Sequence, residues 1–447
     1  MTKVAGALSR GLGRGSGQAL PGLLAERIDP HLAGKLAAKL PNGVILVTGT
    51  NGKTTTTKLI AAVLAASGEV VLVNKTGSNL KRGITSSLIS AASLGGRLKA
   101  TVGLFEVDEA SLRQVARDLN PRHIVVLNLF RDQLDRYGEL DTTAAVIGEG
   151  ISATAAHVYL NADDPLVASM AKYAHSRDLV SYFGIEGLPA SKAIPYSTAT
   201  DSDRCPICNK SLLFSRIFYG HIGHYHCPDG HFNRPRPSVV VTNVDAADEK
   251  GSEFTVSVDG KRSNLWYPLP GTYNIYNALA AISLLHGFGV DLKTVADVLA
   301  KAEPAFGRVE RVEVSGRIVY LLLIKNPAGF SQILQTFLAG RQNSHVLMAI
   351  NDLAADGRDV SWLWDVPLEL LAREKPQIVT SGIRGADMSL RLRYADIDSE
   401  VVRGMSEAVT ALIKQTPVGD TAYILPTYTA MIEIRKVLSK LTQLRDI

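Results

Sequence analysis

The sequence predicts an α/β protein. A central parallel-sheet domain carries a phosphate-binding loop and is interrupted by a small cysteine-bearing module. A smaller, Rossmann-like α/β domain follows it. Three observations predict this. Short apolar runs alternate with helical patterns from residue 43 onward. A glycine loop ending in Lys-Thr stands between the first of those runs and the first helical pattern. A second alternation begins after residue 312. At 447 residues the chain suits roughly two or three domains.

Residues 1–42 read as an irregular or helical lead-in, with helical spacing over 24–40 punctuated by Pro30. The apolar run 44–47 is the first buried strand. Gly49-Thr50-Asn51-Gly52-Lys53-Thr54-Thr55 follows it and opens the helical stretch 56–64. Strand, glycine loop, Lys-Thr and helix form the phosphate-binding loop in its proper context. Backbone N–H groups of such a loop face anionic oxygens, and glycine lets the backbone approach because no Cβ intervenes. Lys53 supplies a point charge for the β/γ-phosphates, and Thr54 a hydroxyl for Mg²⁺. The reading is therefore that the chain binds ATP or another nucleoside triphosphate.

Further strand-like runs lie at 70–73, 100–107, 124–128 and 157–161. In parallel sheets ligands sit beyond the carboxyl ends of the strands. Asn74, Glu106, Asn128 and Asn161 end these runs and are expected to line one cleft. Glu106 is the expected second ligand of Mg²⁺. Asp132 and Asp135 read either as organisers of metal or water, or as a helix cap and first-turn charge.

Residues 201–237 differ in texture, holding all three cysteines and four of the ten histidines. Cys205 and Cys208 form a C-x-x-C, and eighteen residues separate Cys208 from Cys227. That is zinc-ribbon spacing, although position 230, where a fourth cysteine belongs, is glycine. Asp229, His231, His226 or His224 could complete the site, with His231 the first choice. The alternative is a module that holds itself by packing alone. Strands are expected at 239–244 and 253–258, and a helix at 276–285. The second domain, set at 313–447, carries strand-like runs at 318–324, 345–350 and 378–381. The central domain is thus set at 43–312, with 201–237 inserted in it.

Composition excludes some classes. The chain is 46% hydrophobic and 20% charged, as expected of a globular protein with large cores. Its net charge of +5 is a weak excess for its length and does not suggest a nucleic-acid binder. Arg234-Pro235-Arg236-Pro237 is too small a basic patch to argue otherwise. There is no transmembrane-length apolar run and no apolar signal core at the start. The expectation is a cytoplasmic protein, with room for loose peripheral association with the inner membrane surface.

Several segments, in order, resemble the Mur ligases, the amide-forming enzymes of peptidoglycan synthesis. Gly49 to Thr55 is similar to their ATP loop. Asp132-Gln133-Leu134-Asp135 is similar to their Asp-His-Leu-Asp turn, and Asn161-Ala162-Asp163-Asp164-Pro165 to their Asn-x-Asp-Asp segment. Gly271-Thr272-Tyr273-Asn274-Ile275-Tyr276-Asn277-Ala278 resembles an element associated with adenine binding, which implicates Asn274 and Asn277. Gly307-Arg308-Val309-Glu310 resembles their Gly-Arg-x-Glu, whose arginine reaches phosphate, and so implicates Arg308.

The departures narrow the resemblance. Only 42 residues precede the central domain, too few for the family's usual uridine-nucleotide domain of roughly 90 or more. Gln133 replaces the metal-associated His, and Leu322 and Lys325 stand where Asp and His are usual. Residues 351–365 and 425–431 are distinctive. With them the chain resembles, nearly throughout, the MurT family, the synthetase subunits of lipid II isoglutaminyl synthase. That resemblance implies ATP- and Mg²⁺-dependent amidation of the α-carboxylate of D-glutamate in the lipid II stem peptide, through an acyl phosphate. It implies a GatD-type glutaminase partner as the source of ammonia, with Asp352 or Asp356 completing that partner's Cys–His pair. Lys53 and Glu106 would act at the transfer step. An amino-acid-adding ligase of the Mur or folylpolyglutamate type is the alternative.

Overall fold

The computed structural model describes residues 22–23, 27–74, 78–131, 140–188, 201–303 and 309–442. They divide into two units, one built from residues up to 302 and the other mainly from residue 303 onward.

The first unit is organised on a nine-stranded sheet. Its strands are β1 (Val44–Thr48), β2 (Val71–Val73), β3 (Val102–Glu106), β4 (His123–Val126), β5 (His157–Asn161), β6 (Val180–Ile185), β9 (Val239–Asp248), β10 (Gly251–Val258) and β11 (Lys261–Tyr267). The spatial order is β11-β10-β9-β6-β5-β4-β1-β3-β2. From β2 to β9 every pairing is parallel, and β9, β10 and β11 pair antiparallel. Every residue of β1 and β3 is buried. Strands covered on both faces read as unbroken apolar runs, which is why these were visible in the sequence. The chain reaches β3 on one side of β1 and β4 on the other. The loop after β1 therefore opens at a topological switch point, where open α/β sheets place their ligands.

The connection from β6 to β9 holds the cysteine module. Its hairpin, β7 (Leu213–Tyr219) with β8 (Ile222–His226), forms a separate two-stranded sheet. Asp163 staples the module to the sheet. Its carboxylate accepts from Ile185 N–H at 2.8 Å, Tyr276 O–H at 2.6 Å and Arg234 Nε at 2.5 Å. Its backbone carbonyl accepts from Gly223 N–H. Complete burial pushes the Asp163 carboxyl up from its ordinary range, against the pull of Arg234 and Tyr276.

The second unit holds a six-stranded sheet in the order β12-β13-β17-β14-β15-β16. Its strands are β12 (Val309–Val314), β13 (Arg317–Leu322), β14 (His345–Ala349), β15 (Gln377–Ser381), β16 (Ser399–Val401) and β17 (Thr421–Pro426). Apolar clusters cover both faces, one centred on Phe330, Phe337 and Tyr423, the other on Val409, Leu412 and Ile434. The expected boundary at 312/313 falls inside β12, which pairs antiparallel along β13. The second unit therefore begins earlier than the sequence suggested. Glu310 makes an ion pair there with the buried Arg435.

Candidate functional site

The loop between β1 and helix Lys53–Ala66 is held open from behind by its neighbours. Gly49 and Gly52 have φ of +127° and +91°, a backbone region other residues rarely adopt. A Cβ on Gly52 would lie 2.0 Å from Asn277 Oδ1. Asn277 donates in turn to Asn274 Oδ1 at 3.1 Å, and both asparagines are buried. The adenine-associated element expected from sequence is thereby packed directly against the loop. Thr50 N–H donates to the Asn128 carbonyl at 2.9 Å. Thr50 Oγ1 accepts from Phe130 N–H at 3.0 Å. Asn128 clasps Asn51 from both sides, accepting its N–H at 2.9 Å and donating to its carbonyl at 3.0 Å. Helix Lys53–Ala66 starts at Gly52 with no side chain capping it. Its first-turn N–H groups and its positive dipole end thus suit an anionic group. Thr55 is buried in that first turn.

Two carboxylates meet the Lys-Thr pair. Thr54 donates from Oγ1 to Glu106 Oε2 at 2.8 Å, and both residues are nearly buried. Oxygen donors from a hydroxyl and a carboxylate suit Mg²⁺, so the residues present fit that ion. Lys53 Nζ donates to Glu109 Oε1 and Oε2 at 3.2 and 3.1 Å, to the Gly49 carbonyl at 2.5 Å and to the Thr50 carbonyl at 3.3 Å. Sequence reasoning had no role for Glu109.

Other strand-end residues are structural. Asn74 exchanges hydrogen bonds with the backbone of Glu106 at 2.9 Å each way and so sets that residue's position. Asn161 is fully buried and donates to the Leu127 carbonyl. It pins two strand ends together and does not line the cleft, contrary to expectation. Arg308, Asp132, Gln133 and Asp135 lie outside the described residues.

In the cysteine module the Cys205, Cys208 and Cys227 thiols lie within 4.8 Å of one another. The Cys208 and Cys227 sulfurs are 3.5 Å apart, too far for a disulfide and near the roughly 3.8 Å edge of a tetrahedral zinc–thiolate site. His231 and Asp229 each place a donor within 4.8 Å of the Cys208 sulfur. Asp229 is already paired with Lys210 at 2.7 Å. His224 and His226, the other candidates, are in neither group. Burial pushes the Cys227 thiol up, but Asp229 and His231 N–H groups and the neighbouring thiols outweigh it, bringing it down to about 7. The three thiols form one group of a donor type that zinc accepts, and of the three cysteines His231 is grouped with Cys208 alone.

In the second unit the two expected aspartates differ. Asp356 is buried and locked, accepting from Thr429 N–H at 2.7 Å, Thr429 Oγ1 at 2.5 Å and Leu353 N–H at 3.1 Å. Asp352 is half-buried and paired with Arg384 Nε at 2.8 Å. Asp359, passed over in the sequence, is exposed and accepts from Ser361 N–H at 2.8 Å. Only exposure distinguishes it, and exposure is not written in a loop sequence. Nearby elements leave large apolar side chains exposed, among them Leu353, Trp364, Ile383, Leu390 and Tyr394.

Comparison with known proteins agrees with this geometry. Residues 47–211 match the Mur ligase middle domain, and residues 323–431 match the MurT ligase C-terminal family. The chain is 34% identical over 438 residues to the Streptococcus pneumoniae lipid II isoglutaminyl synthase (glutamine-hydrolyzing) subunit MurT, covering 97% of this chain and 94% of that one. It is 30% identical over 441 residues to the Staphylococcus aureus protein of the same name, covering 98% and 97%. Among solved structures, a pseudomurein peptide ligase type C from Methanothermus fervidus shares the fold with a TM-score of 0.71 at 22% identity, over 91% of this chain and 80% of that one. MurF ligase from Thermotoga maritima, in complex with ADP, does so with a TM-score of 0.65 at 12% identity, over 92% and 83%. The chain belongs to the MurT family and has the Mur ligase α/β fold.

Proposed function

We propose that this chain is the ATP-dependent amidating subunit of a lipid II isoglutaminyl synthase, a carbon–nitrogen ligase that takes its nitrogen from glutamine. The observation that carries the reading is the pairing of Thr54 with Glu106 beside Lys53, at the mouth of an uncapped helix. The near full-length likeness to two MurT subunits names the substrate class.

The chemical problem is a carboxylate, whose leaving group in direct substitution would be oxide. Transfer of a phosphoryl group from ATP to the stem-peptide carboxylate replaces oxide with phosphate, and ammonia then displaces it. Charge develops on the transferred group, and fixed donors aimed at it lower the barrier. Here those donors are Lys53 and the first-turn N–H groups of helix Lys53–Ala66. Thr54 and Glu106 would hold Mg²⁺, which supplies further neutralisation. Asn128 and Asn277 fix the loop so that its N–H groups need no rearrangement. Arg308 is kept as a proposed phosphate contact on the resemblance alone.

Ammonia would come from a glutaminase partner of the GatD type. Support for a docked protein is the exposed apolar group of Leu353, Trp364, Ile383, Leu390 and Tyr394. For the carboxylate that orients the partner's histidine, Asp359 is the best-supported residue of the three, being exposed where Asp356 is saturated and Asp352 is paired. Zinc at Cys205, Cys208, Cys227 and His231 is a proposed structural site. Among the described residues no helix is long and apolar enough to cross a membrane. A cytoplasmic enzyme working at the inner membrane face fits the proposed lipid-linked substrate.

The test is co-purification with the glutaminase, followed by incubation with lipid II, glutamine, ATP and magnesium. Mass spectrometry should show a carboxyl-to-amide change in the stem, with ATP consumed in step. ATP hydrolysis that depends on a free amino acid, and not on glutamine, would favour an amino-acid-adding ligase.

A further inference from the structure

The cysteine module has one end that the reading above does not use. The cysteines lie beyond the open end of the β7–β8 hairpin, and its turn, Gly220-His221, lies at the other end. That turn is pressed against Phe130. The Tyr219 ring stacks on the Phe130 ring at 5.6 Å, and the His221 ring tilts against it at 4.8 Å. All three side chains are buried. Gly220 has a φ of +54°, and a Cβ there would lie 2.7 Å from Phe130 Cε1. Phe130 in turn brackets Thr50 of the phosphate loop. Its N–H donates to Thr50 Oγ1 at 3.0 Å, and its carbonyl accepts from the same hydroxyl at 3.2 Å. Tyr219 has a second neighbour, Tyr276, whose ring stands edge-on at 5.7 Å. Tyr276 lies in helix Thr272–Gly287, next to Asn277, the side chain that crowds Gly52. One tyrosine ring thus packs against both supports of the loop, Phe130 behind Thr50 and the helix behind Gly52.

We propose that the hairpin tip Tyr219-Gly220-His221 is a positioning element of the nucleotide site, with Tyr219 its central residue. The inference rests on the reading of residues 49–55 as that site. Close-packed rings pass a displacement on, because no void absorbs it. Hydrogen bonds from loop N–H groups to a phosphate weaken as those groups leave their distance and angle. A change at Tyr219 therefore reaches the phosphate through Phe130 and Thr50 without touching the ligand. The cysteine end of the module has no place in this series of contacts, so the role belongs to the tip, whatever the cysteines bind.

The experiment measures binding of a non-hydrolysable ATP analogue to the full chain by calorimetry, with excess magnesium. Stoichiometry counts the folded molecules, and affinity describes each of them. Tyr219→Leu removes the ring and Tyr219→Phe keeps it. Gly220→Ala pushes on Phe130 from the turn. Phe214→Ala disturbs the same hairpin near its cysteine end, where Phe214 packs on Tyr225. Tyr219→Leu and Gly220→Ala should each weaken binding about tenfold, and Tyr219→Phe and Phe214→Ala by less than about twofold. If one of the first two variants fails to fold, by circular dichroism, the other carries the comparison, and failure of both overturns the proposal by making the tip purely structural. Lower stoichiometry at unchanged affinity also overturns it while leaving the nucleotide site in place. So does an equal weakening by Phe214→Ala. Failure of the wild-type chain to bind the analogue overturns both the proposal and the nucleotide site.

Discussion

In the first unit the phosphate loop is braced by the protein's own groups. Asn128 holds Asn51, Phe130 N–H holds Thr50, and Glu106 holds Thr54, so the loop backbone is set. In the second unit the segment 351–365 is only half settled. Asp356 is saturated by Thr429 and Leu353, but Asp359 faces solvent and Trp364 is 49% exposed. The contrast separates two kinds of recognition. A site for a small, invariant anion gains from donors fixed in advance, because reorganisation would otherwise subtract from transition-state stabilisation. A surface that completes another protein's site has to leave its acting group and its apolar contacts open until that protein arrives.

The largest expected effect breaks the first half of this contrast. Lys53→Ala should lower ATP-dependent amidation by about 10³-fold or more while the fold persists by circular dichroism. Retained turnover would mean that the pre-set loop is not where phosphoryl transfer occurs. The second prediction sharpens the other half. Asp356→Asn should cost roughly 2–3 kcal/mol in denaturant titrations, because an amide cannot accept all three of its hydrogen bonds. Asp359→Asn should change stability by less than about 0.5 kcal/mol, yet slow glutamine hydrolysis by the associated glutaminase. The reverse pattern would return the partner-directed role to Asp356. The smallest functional effect concerns the cysteine module. Cys208→Ser should drop bound zinc from about one per chain to well below that by elemental analysis, with little change in amidation. A wild-type chain purified without zinc and still folded would make the module a packed knob and not a metal site.

Legibility followed locality. The phosphate loop was readable because strand, glycines, lysine and helix are contiguous from residue 44 to residue 66. Glu109 was not, because its meaning depends on a fold that brings it to Lys53 from 56 positions away. Asn161 was misread for the opposite reason: a polar residue at a strand end can serve the neighbouring strand as readily as a ligand, and only its burial decides. The boundary at 312/313 overlooked a signal that was present. Val314 and Arg317 face each other across Ser315 and Gly316, whose φ values of +49° and +74° are those of a two-residue hairpin turn. That turn joins β12 to the sheet that follows it.

The passage from β6 to β9 carries a consequence for anyone trimming this protein. These two strands run side by side in the same direction, Phe183 opposite Val239, so the chain must travel back the length of a strand, on the order of 20 Å, before it can re-enter the sheet. In most such folds a helix makes that return. Here the cysteine-bearing segment makes it, anchored just before β9 by Arg234 to Asp163 and Glu186. A deletion that merely closes the gap with a short linker would therefore leave β9 unable to reach its place, whatever becomes of the cysteines. A shortened version would need a replacement span of similar reach with a basic side chain offered to Asp163.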